Sequence, residues 1–445
     1  MRLPAWFRFR NTAVPVLAAA CLASGASPAS SQVPDPAGVS PRLLDVTRAG
    51  EVANDNTASG GVSPDGRFVV LESEADNLVP DDGNRVRDVF VLDRDTGVLT
   101  RESLDDEGSE SPMPSGGATI SANGRFVVFA STAPLTSGDS IGVANLYHRD
   151  RVGDRLRKVT RGTSGEAANG DSSDASLSSD GRVLAFASLA SNLVAEDRNG
   201  VSDIFAIRKS DQRIVRVSVA SDGGDPDGAS FQPHLSGNGR FVAFVSTATN
   251  LVPGVADGRS HVYVTDIETG TTVLASVDRD GVPGNDASFT PRITDDGNRV
   301  TFGSRATNLA SRPMPAGTIY VHDVRRGRTR AVSVDAAGEG ASGSSFGPTI
   351  SGNGRFVAFS SNASGLVPEL DPGVFLQIWV HDVLNGTTAL VSRALDGGTA
   401  GGASFRPHFT AGGGSLVFSS TAEDLAPGAR DGTTHVYASP NSLVD

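Results

Sequence analysis

Four polar side chains that could bind an anion recur at one position of a repeated segment. His234, Arg292, Thr349 and His408 each lie five residues before a turn glycine. Arginine presents a planar fork of donors suited to a carboxylate or phosphate, and histidine changes its charge near neutral pH. We therefore predict an anion-binding site here, with binding that tightens as the pH falls from about 7.5 to 6. The alternative is that these side chains pack and hydrogen-bond within the fold.

Two loops carry oxygen-bearing side chains at identical spacing. The residues are Asp82, Asn84 and Asp88 in the first loop, and Asp197, Asn199 and Asp203 in the second. Hard oxygen ligands two and four residues apart can bind Ca²⁺. Asn and Asp at this spacing can instead form Asx turns before the next strand. We favour the turns and expect no cofactor, because His261 and His435 stand at the position of the last Asp in other repeats. Calcium is the alternative.

Motifs of known enzyme classes are missing from the sequence. It contains no P-loop or H-E-x-x-H motif. The G-x-S-x-G spacing at 138–142 and 343–347 and the G-x-G-x-x-G spacing at 338–343 lie in Gly- and Ser-rich segments without the strand-to-helix context of a nucleophile elbow or a dinucleotide fingerprint. Two Trp and four Tyr offer few rings for stacking on sugars. We therefore expect a non-catalytic binding module. The alternative is a lyase or a glycan-active hydrolase with its site in a central channel.

The candidate residues are positioned by a unit that occurs seven times. Its turn glycines are Gly66, Gly124, Gly181, Gly239, Gly297, Gly354 and Gly413, spaced 57 to 59 residues apart. A serine follows seven residues after each glycine, at Ser73, Ser131, Ser188, Ser246, Ser304, Ser361 and Ser420. Seven identical serines are typical of hydrogen bonding at strand ends rather than of seven nucleophiles. A period held this closely indicates an array of one supersecondary unit.

The unit has the pattern of four short strands, lettered A to D along the chain. An Asn-Gly or Asp-Gly turn joins strands A and B, and strand B alternates apolar residues on two faces. The last repeat lacks strand D, whereas residues 43–47 form a strand D with no A, B or C before it. Pairing these ends closes a ring and hides its edges. The sequence therefore predicts an all-β, seven-bladed propeller of antiparallel blades over residues 41–440, followed by a tail at 441–445.

The first repeat carries a recognisable motif. The segment SPDGRFVVLES, Ser63 to Ser73, resembles the Pro-Asp-Gly repeat of TolB-type, WD40-like propellers. The resemblance covers the chain after its leader and implies an exported bacterial protein that binds a partner, or an accessory domain of a peptidase. In such a fold strand A lines the central channel, which would bring His234, Arg292, Thr349 and His408 to one depth.

Other repeated side chains favour packing. We expect His322 and His381 within strand C, and His261 and His435 at its start, to be packed and hydrogen-bonded. Strand A of the last four repeats carries Phe231, Phe289, Phe346 and Phe405, which the first three repeats lack. Duplication explains this asymmetry more simply than a binding site does.

The N-terminus and the overall charge restrict location and partners. Residues 1–30 have basic, apolar and small-residue regions in the order of a signal peptide, and residues 31–40 form a Pro-containing linker. Cys21, the single cysteine, offers a weak lipoprotein site. The charge of −13 disfavours nucleic acid and anionic membranes. We expect an exported monomer without a transmembrane segment, in the periplasm, at the cell surface or outside the cell, that binds a protein or an envelope component.

Overall fold

Each sequence repeat folds into one antiparallel sheet of four strands. The computed structural model describes residues 40–444 except 140, 211, 369, 430 and 431. These residues form seven such sheets and no helix. The turn glycines between strands A and B have φ between 67° and 78°, which side chains rarely adopt. At Gly124 a side chain would also collide with the Phe68 ring of the preceding blade, so this glycine permits both the turn and the blade contact.

The strands occupy equivalent stations from the innermost (A) to the outermost (D). The A strands are β2 (Thr57–Val62), β6 (Ser115–Ile120), β10 (Ser172–Leu177), β14 (Ser230–Leu235), β18 (Ser288–Ile293), β22 (Ser345–Ile350) and β26 (Ser404–Phe409). The B strands are β3 (Phe68–Ser73), β7 (Phe126–Ser131), β11 (Val183–Ser188), β15 (Phe241–Ser246), β19 (Arg299–Ser304), β23 (Phe356–Ser361) and β27 (Ser415–Ser420). The C strands are β4 (Asp88–Asp93), β8 (Asn145–Asp150), β12 (Asp203–Arg208), β16 (His261–Asp266), β20 (Thr318–Asp323), β24 (Gln377–Asp382) and β28 (His435–Pro440). The D strands are β5 (Val98–Arg101), β9 (Arg155–Lys158), β13 (Ile214–Arg216), β17 (Thr271–Leu274), β21 (Arg328–Ala331), β25 (Thr387–Leu390) and β1 (Arg42–Leu43).

The blades form a closed ring. Each A strand contacts the A strand of the next blade, and β26 contacts β2. The N-terminal β1 pairs antiparallel with β28, which confirms the predicted seven-bladed propeller closed by its first strand. This strand is shorter than the predicted 43–47. It starts after Pro41, which has no N–H to donate, and beyond Leu44 the Asp45 side chain accepts the next ladder hydrogen bond from Val436 at 3.0 Å.

The core lies between neighbouring blades. In five blades the aromatic ring of strand B stacks on one of strand C, with ring centroids 5.8 to 5.9 Å apart. The repeated serine closes the end of strand B. Ser246 Oγ bonds to Ser230 Oγ at 3.0 Å and accepts the Ala248 N–H at 3.1 Å. Both bonds recur in five other blades, and in blade two Ser131 keeps the bond from the Ala133 N–H, which confirms that these serines have a structural role.

The histidines of strand C are packed as predicted. His322 and His381 are almost fully buried, and their Nδ1 atoms lie 2.9 Å from the hydroxyls of Thr329 and Thr388. His261 lies 3.1 Å from Asp257. Burial lowers the pKa of His322 and of His381 to about 4, so both rings are neutral at pH 7.

The predicted terminal segments differ in what the structure describes of them. The signal peptide at 1–30, Cys21 and all of the linker except Ser40 lie outside the described residues. In the C-terminal tail Asn441 is buried, and its side chain donates to the Gly413 carbonyl at 2.8 Å. The part of the chain that the structure describes holds no helix with the length and hydrophobicity of a bilayer-spanning segment.

Candidate functional site

A β-bulge interrupts every A strand at the wall of the channel. The pairing of strands A and B shifts register at this point in all seven blades. Four of the bulge residues are not glycine, yet have left-handed backbones: Asp174, Gln232, Thr290 and Arg406, with φ of 52° to 53°. This conformation costs a residue with a Cβ about 1–2 kcal/mol. Because bulges redirect side chains, their repetition marks this level of the channel as a candidate site.

Side chains of one blade satisfy the backbone that the bulge of the next blade leaves unpaired. The Thr290 N–H donates to Oε1 of Gln232 at 3.0 Å, and the Ile293 N–H donates to Nδ1 of His234 at 3.2 Å. At the ring closure His408 donates to the backbone carbonyl of Ser59. His234 and His408 therefore both contact a neighbouring blade, which is the kind of contact that the packing alternative requires.

The centre of the channel holds charges of both signs. Arg292 donates to the Pro291 carbonyl at 2.9 Å and lies close enough to Asp174 for their charges to interact. Burial raises the pKa of Asp174, whereas the Gln232 N–H and the Arg292 guanidinium oppose that rise. Burial lowers the pKa of Arg292, and Asp174 opposes that change. The two groups therefore stabilise each other's charged form.

Both channel histidines are neutral at pH 7. Burial and then the charges of Arg292 and Arg406 lower the pKa of His408 to about 3. Burial, Arg292 and His408 hold the pKa of His234 well below its usual range. Since Nδ1 of His234 accepts a hydrogen bond, its proton is assigned to Nε2. Protein surrounds these rings on most sides, but part of each surface is open to the channel.

The structure brings His234, Arg292 and His408 together, as the shared station predicts, and places Thr349 at the same station of β22 with 9% of its surface exposed. The bulge residues, above all Asp174, were not predicted from the sequence. A shared sequence position could have pointed to them, because the bulge residues of blades two to seven all lie seven positions before a turn glycine. Their left-handed backbone could not be recognised because four of the six are not glycine.

A buried carboxylate lies on the opposite side of the channel. Glu72 on β3 is 5% exposed, and its Oε1 accepts the Ala118 N–H of the next blade at 2.9 Å. Its Oε2 lies 3.8 Å from Arg406 of the last blade. Other blades have small or aliphatic residues at this station, namely Ala130, Ala187, Val245, Gly303, Ser360 and Ser419. Glu72 therefore supplies an acidic group to the wall formed by blades seven, one and two.

An arc of aromatic side chains marks one end of the channel. Phe231, Phe289, Phe346 and Phe405 each precede the bulge of their strand. Phe346 is 44% exposed, and the other three are half-buried. Blades one to three have Ala58, Gly116 and Ser173 at this station. The arc therefore adds apolar surface at this end of strand A in blades four to seven, chiefly at Phe346, where blades one to three have small side chains.

An arginine of strand D lies among the carboxylates of each loop that was considered for calcium. Nη1 of Arg101 lies 2.9 Å from Asp82, 3.8 Å from Asp88 and 2.7 Å from Glu110. In the second loop Nη1 of Arg216 lies 3.7 Å from Asp197, 3.8 Å from Asp203 and 2.5 Å from Asp225. A guanidinium therefore compensates the carboxylates that the calcium alternative would use as ligands.

The amides of the two loops form Asx turns. Nδ2 of Asn84 donates to Asp88 at 2.7 Å, and its Oδ1 accepts the Val86 N–H at 3.2 Å. Asn199 makes the equivalent bonds to Asp203 and Val201, at 2.8 and 3.1 Å. Within the described ranges no group of three or more His, Cys, Asp or Glu side chains is placed to hold a metal ion. This geometry favours the turns, and calcium binding stays a question for experiment.

Comparisons with known proteins identify the fold. No protein-family model and no curated protein matches the sequence. The chain is similar to an oligogalacturonate lyase in complex with manganese, at 12% identity and a TM-score of 0.53 over 90% of this chain and 96% of that one. It is also similar to a puromycin-hydrolyzing peptidase of Mycobacterium tuberculosis, at 15% identity and 0.51 over 91% and 54%. A TolB of Agrobacterium tumefaciens matches at 16% identity and 0.42 over 80% and 98%.

The chain is a seven-bladed β-propeller in fold. Identities of 12 to 16% show the fold alone and carry no residue roles to this chain.

Proposed function

We propose that this propeller is a non-catalytic binding module that takes a carboxylate-bearing group of a protein partner into its central channel. The supporting observation is the position of Arg292 among His234, His408 and Asp174, in a channel whose mouth carries four phenylalanines. Sites with a few convergent polar groups and an apolar wall are typical of ligand binding.

The chemistry of the channel favours a peptide-like group over a bare anion. Arg292 supplies a planar pair of N–H donors from which a carboxylate can accept two hydrogen bonds, and neutral His234 supplies a further N–H donor at Nε2. Asp174 supplies an acceptor beside them, which suits an amide or amine N–H of the same ligand. The phenylalanine arc would cover an apolar side chain. The chain end of a partner protein carries all three groups.

The proposed setting follows from the N-terminal residues. A signal peptide at 1–30 would export the chain to the periplasm, the cell surface or the medium. The partner would then be an envelope or secreted protein, bound by a monomeric propeller.

The test uses a labelled peptide that ends in leucine with a free carboxylate, titrated against the full chain. Arg292→Ala and Phe346→Ser should each weaken binding about tenfold or more, and amidation of the peptide terminus should mimic the arginine change. The matched control is Leu384→Ser, which should leave affinity unchanged. Leu384 is an exposed apolar residue in the β24–β25 turn of the blade that carries Phe346. Equal affinity of all four proteins would refute the channel site.

One observation favours the alternative, a lyase with its site in the channel. The carboxylate of Asp174 and the ring of His234 both lie near Arg292, and this acid–base set could abstract a proton next to a carboxylate. An oligogalacturonate lyase is among the structural neighbours. Oligogalacturonate incubated with the chain should then yield unsaturated ends, and Asp174→Asn should abolish them. Without such ends the binding module is the better proposal.

A further inference from the structure

A basic groove lies between blades two and three, away from the channel residues. It has a volume of about 1170 Å³ and is lined by β9, β12 and β13. Its cations are Arg155, Arg157, Lys158 and Arg161 of blade two, and Arg182, Lys209, Arg213 and Arg216 of blade three. Asp150 and Glu196 are the acidic residues of this lining. Eight cations in one groove contrast with the net charge of −13 of the whole chain.

The basic character has a local cause in blade three. In four blades the arginine after the turn glycine forms an ion pair with the Asp that ends strand C, as Arg240 does with Asp266 at 2.6 Å. In blade three Arg208 stands at that position. Arg182 is left with a 3.6 Å contact to Asp180, and its side chain is 80% exposed. The arginine in place of Asp therefore adds one cation, Arg208, and leaves Arg182 of the groove lining without the ion pair that its counterparts form.

Some of these cations are structural and others are available. Lys158 forms a buried ion pair with Asp139 at 2.7 Å, and Arg216 lies among the carboxylates of its loop. Arg155 and Arg157 are exposed, and within the described ranges neither has a carboxylate within 4.0 Å. Lys209 lies 3.4 Å above the Phe126 ring, and burial lowers its pKa. A ligand carboxylate would give these three groups a partner.

The lining also restricts the class of ligand. Its apolar part includes Val159, Leu177, Val183, Leu184, Ile207 and Ile214. His148 is the one ring in the lining, and it packs against Phe126 with centroids 5.0 Å apart. Nucleic-acid bases and sugars are usually held on exposed aromatic faces, which this groove lacks. Acidic side chains that alternate with aliphatic ones match both of its surfaces.

We propose that this groove binds an extended acidic peptide segment of a partner protein. Its carboxylates pair with Arg155, Arg157 and Lys209, and its aliphatic side chains pack on the apolar lining. This surface goes beyond the channel site and does not depend on it.

The test measures fluorescence anisotropy of a labelled twelve-residue peptide of alternating Glu and Leu against the full chain. We expect Arg155→Glu/Arg157→Glu to weaken binding at least tenfold at low salt. The control is Arg328→Glu/Arg330→Glu on β21, which changes the same two stations of strand D in blade five and the same net charge. It should change affinity less than twofold. A Glu-Ser peptide should bind several-fold more weakly, because it cannot use the apolar lining.

Two further arms separate the alternatives. A sulfated polysaccharide and oligothymidylate are tested in the same way. If either binds as tightly as the peptide, and Arg155→Glu/Arg157→Glu abolishes that binding too, the groove is a general polyanion surface and the peptide assignment is wrong. Equal losses in the blade-two and blade-five variants would overturn the groove itself. Arg292→Ala should keep full affinity for the Glu-Leu peptide, so the groove and the channel can fail independently. Thermal unfolding of each variant confirms that its fold is intact.

Discussion

Nδ1 of His435 lies 2.7 Å from a carboxylate oxygen of Asp45, across 390 residues of sequence. Both residues are almost fully buried, and the second Asp45 oxygen accepts the Val436 N–H at 3.0 Å. The six other blades have a hydroxyl at the Asp45 position: Ser103, Thr160, Ser218, Ser276, Ser333 and Ser392. The blade assembled from both ends of the chain is therefore the one in which a carboxylate, rather than a hydroxyl, accepts this hydrogen bond from strand C.

The first prediction concerns ring closure. Asp45→Ala should lower the free energy of unfolding by about 3–5 kcal/mol, the usual cost of removing one partner from a buried charge-assisted pair. Ser276→Ala removes the equivalent bonds to His261 and Val262 within a covalently continuous blade, and should cost about 1–2 kcal/mol. Urea unfolding of both variants gives the comparison. Equal losses would mean that the closing blade has no special dependence on Asp45.

The second prediction concerns calcium. Adding millimolar Ca²⁺ to chelator-treated protein should move the melting temperature by no more than about 1 °C, because Arg101 and Arg216 already compensate the loop carboxylates. Arg216→Met should destabilise the protein by leaving Asp197, Asp203 and Asp225 without their cation, and Ca²⁺ should then restore part of the loss. A rise of many degrees in the wild type that Asp197→Ala abolishes would instead establish a native calcium site.

The third prediction concerns acid stability. The pKa of His322 is lowered to about 4 in the folded protein, against about 6.5 in an unfolded chain. The unfolded chain therefore binds the proton first, and stability is lost as the pH falls from about 6.5 to 4, by up to about 3 kcal/mol for this residue.

His322→Gln should flatten that part of the stability profile, and His381→Gln should do the same because its pKa is also about 4. The pKa values of Asp82 and Asp203 are raised to about 6, which adds stability as the pH falls below 6. The informative quantity is therefore the difference between the variant and wild-type slopes in urea titrations. Parallel curves would show that these histidines titrate normally.

The ring of blades could be predicted from the sequence because its signals are local and repeated. Gly66 to Gly413 mark seven turns, and the residues near Leu43 supply the strand that the last repeat lacks. The channel could be predicted only in part. Arg292 stood out by its type and position, whereas Asp174 enters through a left-handed bulge that alternation along a strand does not encode. The basic character of the groove depends in part on Arg208, which stands where other blades have an Asp. Its effect is visible only when the structure shows that this Asp forms an ion pair with the arginine after the turn glycine.

The last prediction concerns the pH dependence of the channel. The sequence alone led to the expectation that anion binding tightens from pH 7.5 to 6. The pKa of His408 is lowered to about 3 and that of His234 lies well below its usual range, so neither gains a proton in that interval. Affinity for the Leu-ending peptide should therefore stay constant from about pH 7.5 to 6.

Arg292→Lys, measured beside the wild type, distinguishes charge from geometry. If a carboxylate binds the guanidinium fork, the lysine variant should lose several-fold in affinity at every pH even though its charge is kept. Tightening of the wild type towards pH 6 that disappears in His408→Gln would show that the ligand raises the pKa of this histidine by displacing the contacts that hold it neutral. That result would contradict a passive role for the ring and assign His408 to the bound carboxylate.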